Sequence, residues 1–104
     1  MDTVISPDAL RLAKEIPGLD PEAYTRAAIN PIHPPPEHDL VAPPEEDCIG
    51  AYCLMQWYWR HAPTDDGEIH AALHVAQTFG IGFAEAWEQL DSAYGEYNSR
   101  YSHN

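Results

Sequence analysis

The chain has 104 residues, room for one compact domain and too little for two ordinary ones. It carries 17 Asp and Glu against 5 Lys and Arg, a formal charge of −12, yet 44% of its residues are hydrophobic, so the charge belongs to a folding chain and not to a disordered acidic one. Five basic side chains cannot line a phosphate backbone, and the summed field repels nucleic acid and anionic membrane alike.

The opening segment MDTVISPDAL lacks the basic and apolar regions of a secretory leader. The longest apolar run, Ile49 to Met55, falls far short of the roughly 20 residues that span a bilayer. A cytoplasmic protein is expected.

Ser6-Pro7-Asp8 predicts a helix start: a hydroxyl cap, a proline suited to the first turn, and an acid that complements the dipole. Leu10, Ala13 and Ile16 give its apolar stripe, and Pro17-Gly18 ends it. Asp20-Pro21-Glu22 repeats the start signal. Ala23, Tyr24 and Ala27 supply an inward face, and Asn30-Pro31 stops this second helix. Residues 1–29 thus read as a helical hairpin.

Six of the ten prolines fall in residues 30–46, including Pro34-Pro35-Pro36 and Pro43-Pro44. Such a segment favours an extended path and joins neither a helix interior nor a central strand. It reads as an irregular connector.

Residues 47–61 are the most apolar stretch, with Asp47 placed to cap a helix. Apolar side chains occupy nearly every angle around it, the pattern of a central helix covered on most sides. Part of Trp57-Tyr58-Trp59 could instead anchor a partner, since Trp and Tyr are enriched at interface hot spots. A strand over 49–59 is the competing reading, because aromatics favour strands as well.

Thr64-Asp65-Asp66-Gly67-Glu68 starts the next helix, with Asp65 and Glu68 at capping-box spacing. Ile69, Ala72, Leu73, Ala76 and Phe79 form its stripe, and Gly80 predicts a left-handed end. The last helix carries Phe83, Ala86, Trp87, Leu90, Tyr94, Tyr97 and Tyr101 on one side. Glu85, Glu88, Ser92, Glu96 and Ser99 lie on the other. The predicted fold is all-α: a small single-domain bundle of about five helices, with residues 47–101 as a three-helix core.

Chemical motifs are sparse. Cys48 and Cys53 are five apart, about 140° around a helix, which suits neither a disulfide nor a zinc pattern. His70 and His74 share a helix face and are weak candidates for gripping a metal, with His61, Asp66 or Glu68 as third ligands at no diagnostic distance. The metalloprotease form needs Glu after the first His, and Ala71 stands there. Nucleophile and phosphate-loop motifs are absent. The outline helix–GIG–helix resembles a DNA-reading helix-turn-helix, but its second helix begins with Glu85 and Glu88, which repel phosphates. No enzyme, no cofactor and no direct nucleic-acid or membrane contact is expected.

The expected function is a non-enzymatic acidic module that binds a protein with a basic surface. Glu45, Glu46, Asp65, Asp66, Glu85, Glu88 and Glu96 would supply charge, with Trp57 and Trp59 as apolar anchors. In its sharpest form it occupies a nucleic-acid site as an acidic decoy, as phage-borne anti-CRISPR inhibitors do; that comparison rests on size, charge and class. The alternatives are a self-associating structural or assembly-chaperone protein, joined as a homodimer through its aromatic clusters, and a small His-based metal-binding protein.

Overall fold

The computed structural model describes residues 5–62 and 66–101. Five α-helices follow in order: α1 (Pro7–Glu15), α2 (Pro21–Ile29), α3 (Cys48–His61), α4 (Gly67–Phe79) and α5 (Phe83–Tyr101). A single 3-10 turn, Pro36–His38, interrupts the connector between α2 and α3, and the described residues form no strand. The fold is the expected all-α bundle, and the strand reading of 49–59 is overturned: that stretch is α3. The Asp47 carboxylate accepts from the Gly50 N–H at 2.9 Å, which satisfies a free helical donor and starts the turn.

The same local logic begins α1 and α2. Ser6 Oγ accepts from the Ala9 N–H at 3.1 Å, and Asp20 Oδ1 accepts from the Glu22 N–H at 3.1 Å. α1 buries Ala9 and Leu12, with Ile16 just past its end, whereas Leu10 is 50% exposed. The expected stripe through Leu10 and Ala13 is therefore rotated by about one position. The hairpin partner α2 packs against α1. α2 also packs on α4, and the Tyr24 ring meets Phe83 of α5 edge-on at 4.9 Å.

α3, α4 and α5 pack against one another and hold most of the core. α3 buries only one stripe: Cys48, Ala51, Leu54, Met55 and Tyr58. Ile49 and Trp59 lie outside it, so the expectation of a helix covered on most sides fails. A chain of this size has too little protein to wrap such a helix on every side, and the surplus rings pack on each other instead. The connector crosses α3 and is fastened there. Leu40 and Pro44 are buried, and the Tyr58 hydroxyl donates to the Ile32 carbonyl at 2.9 Å.

Gly67 opens α4 where a side chain has no room. A Cβ there would overlap the Trp59 ring and sit 2.9 Å from the Trp59 Cα. At the far end, Gly80 has φ +67°, and its N–H reaches the Ala76 carbonyl, the expected left-handed cap.

Candidate protein-docking surface

The turn after Pro43-Pro44 is held by the Pro43 carbonyl, which accepts from the N–H groups of Glu46 at 2.9 Å and Asp47 at 3.1 Å. Pro44 is buried beneath it, so the turn is pinned and Glu45 is carried onto α5. There it meets Glu85 and Glu88, one helical turn apart, and Gln89 and Ser92. Together they line a shallow depression of about 220 Å³. Gln89 Nε2 donates to Glu85 Oε2 at 3.3 Å, while Gln89 Oε1 is buried with no donor. Every lining group other than the serine and the amide is a carboxylate.

Three of the four arginines act elsewhere. Arg11 pairs with Asp8 and Glu15, Arg26 with Glu22 and Asp66, and Arg100 with Glu96. Glu45, Glu46, Glu85 and Glu88 are all exposed and make no ion pair among the described residues. The sequence places Glu85 and Glu88 on one helix face. It gives no sign that Glu45, forty residues earlier, joins them.

Two of the expected surface groups behave otherwise. Asp66 is only 5% exposed, and its carboxylate takes Arg26 at 3.4 Å in place of capping α4. A desolvated carboxylate needs a partner, and Arg26 on the neighbouring helix supplies it. Glu96 is half-buried and neutralised by Arg100 at 2.6 Å. Asp65 lies outside the described residues. The rings divide as well. Trp57 is half-buried, stacked on His61 at 4.2 Å; Trp59 is 39% exposed and edge-on to Tyr94 at 5.4 Å. Neither lines the acidic depression.

His70 and His74 face inward from α4. His70 is buried, its ring parallel to Tyr58 at 6.0 Å, and both imidazoles line a cavity of about 60 Å³ between α2, the connector and α4. His33 of the connector joins them, which helical spacing could not reveal. Burial lowers the pKa of His70 against the opposing pull of Asp66. Burial lowers that of His74 too, with Asp39 opposing and His33 reinforcing. The described residues contain no group of three or more His, Cys, Asp or Glu side chains arranged to hold a metal ion. Both cysteines are free, Cys48 buried and Cys53 exposed.

One further pair escaped the sequence reading. Glu68 on α4 faces Asp91 on α5. Burial, the hydrogen bond to Asp91 and the Asp91 charge together raise the Glu68 pKa to about 7.

No helix among the described residues is long and apolar enough to cross a membrane. No family model matches the chain, no curated protein matches it in sequence, and no solved structure matches its fold.

Proposed function

We propose that this protein is a non-enzymatic acidic module that docks, through the Glu45–Glu85–Glu88 face, on a basic surface of another protein. The observation that carries the reading is the local charge: three carboxylates share one depression, and Arg11, Arg26 and Arg100 pair with other acids. Clustered like charges repel one another, and a Lys- or Arg-lined surface relieves that repulsion while steering the encounter. The orphaned Gln89 Oε1 adds an acceptor beneath the same face that a repositioned amide would offer to an incoming donor. In its sharpest form the partner's basic surface is a nucleic-acid site, which this protein covers as a decoy in the manner of a phage-borne inhibitor. With Glu96 neutralised and Asp66 buried, the docking face is smaller than the full acidic inventory and centred on α5 and the Glu45 turn.

Affinity capture on the immobilised full chain, with and without nuclease, tests this. A basic protein retained at low salt, and weakened about tenfold as ionic strength rises from about 0.05 to 0.3 M, is the expected result. Capture of no basic protein, or capture indifferent to salt, overturns it.

The self-association reading has less to stand on. Its rings are largely engaged within the chain: Tyr52 stacks on Tyr97 at 3.8 Å and on Tyr94 at 5.6 Å, and Trp59 covers Gly67. A sedimenting monomer at micromolar concentration removes it.

A further inference from the structure

Beyond its first turn, α3 leaves one side open. Tyr52, Cys53, Gln56, Trp57 and Arg60, three and four residues apart, line a cleft of about 400 Å³ there. Tyr97 of α5 and His38 of the 3-10 turn close it. It shares no lining residue with the acidic depression.

Its walls are flat and braced. The Tyr52 and Tyr97 rings stack with an interplanar angle of 10°, and Trp57 is held between His61 on one side and the edge of Tyr58 on another. Rings that already pack on each other lose little freedom when a ligand ring arrives. The charge of the cleft is opposite to that of the molecule. Arg60 stands in its lining with no carboxylate, and it makes no ion pair among the described residues. Two other clefts hold carboxylates by contrast: in one Asp8 and Glu15 engage Arg11, and the other holds Asp20, Asp66 and Glu68. A guanidinium grips a carboxylate through two parallel N–H···O bonds. The volume falls within the range of small-molecule sites, about 300–1,000 Å³.

We propose that this cleft binds a small planar aromatic carboxylate, its anion on Arg60 and its ring against the Tyr52, Tyr97 and Trp57 wall. His38 and Gln56 supply further donors. A single negative charge is specified because the net charge of −12 repels a dianion or a polyphosphate more strongly than a monoanion. The assignment does not depend on the acidic face.

The test uses 2-naphthoate, titrated into the full chain and followed by backbone amide NMR. Saturable shifts centred on residues 52–60 and Tyr97 are expected, with neutral 2-naphthamide binding at least about tenfold more weakly. Arg60→Gln, at an exposed position, should weaken 2-naphthoate by about tenfold and leave 2-naphthamide unchanged. Saturating 2-naphthoate should also slow alkylation of Cys53 by iodoacetamide while buried Cys48 stays unreactive. Equal affinity for acid and amide overturns the proposal without any variant. So does the lack of saturation by about 5 mM, or shifts confined to another face.

Discussion

Glu68 of α4 and Asp91 of α5 form a carboxyl–carboxyl pair across the interface of two core helices, and one proton satisfies both. At neutral pH that proton is half lost from Glu68, whose pKa is raised to about 7. The raised value means that the folded state binds more protons than the unfolded one between about pH 4.5 and 7. The pair's full stability is therefore present below the ordinary glutamate pKa, declines as pH rises through that window, and is lost above pH 7. Glu68→Gln keeps a donor facing Asp91 and removes the charge. Allowing for solvent screening of a half-buried group, it should stabilise the protein by about 1 kcal/mol at pH 8 and by much less at pH 5. Urea unfolding at both pH values measures this, and a variant less stable than the parent at pH 8 contradicts it.

The histidines of the cavity act with the opposite sign. Their lowered pKa values mean that the unfolded state takes up protons first, so His70 and His74 favour the fold above about pH 6.5 and oppose it as pH falls through their folded values. In the parent chain this trend and that of Glu68 offset each other. The Glu68→Gln chain should therefore lose stability on acidification from pH 7.5 to 5.5 more steeply than the parent. Adding His74→Gln should reduce that slope. Parallel pH profiles for all three chains would exclude the histidine cavity as the cause.

Gly67 is set by Trp59. A methyl group there meets the Trp59 backbone as well as its ring, and the backbone cannot swing aside. Gly67→Ala should cost about 1–3 kcal/mol by overpacking, despite the better helix propensity of alanine. Gly95, whose added Cβ would meet nothing within 4 Å, is the control: Gly95→Ala should stabilise by up to about 1 kcal/mol. Thermal unfolding of the two variants should move in opposite directions.

Trp87 follows the core pattern of α5 but is only half-buried, beside Phe83 at 5.8 Å, whereas Leu90 is fully buried. Leu90→Ala should cost about 3–4 kcal/mol, and Trp87→Ala less, about 2 kcal/mol. Denaturant midpoints that reverse this order would show that the face of α5 turned inward has been misassigned.

Glu85→Lys with Glu88→Lys should leave circular dichroism and melting temperature close to the parent, because neither carboxylate holds an ion pair among the described residues. The same chain should lose its captured partner, and Glu45→Lys should do so too, although Glu45 lies on a different element. Glu15→Lys, on α1 and outside the lining of the depression, should bind normally. Equal loss in all three would point to non-specific charge attraction.

The helix starts and stops were legible residue by residue. Ser6, Asp20 and Asp47 accept from N–H groups two or three positions ahead, and Gly80 closes α4 onto Ala76. Such bonds form within a single turn, so side-chain chemistry and spacing suffice to foresee them. The inward face of α5 was legible from Phe83 to Leu90, since a long stripe tolerates a small error in angle, but Tyr101, expected on that face, is 47% exposed. Which rings of α3 are covered was not, because apolar side chains at every angle leave no preferred face. Nor were Arg26 taking Asp66, Asp91 raising Glu68, His33 completing the histidine cavity, or Glu45 meeting Glu85 and Glu88. Each of these joins elements well separated along the chain. Local order thus comes from contacts a few residues long, whereas the charge and chemistry of every cleft depend on how separate helices and the proline connector dock.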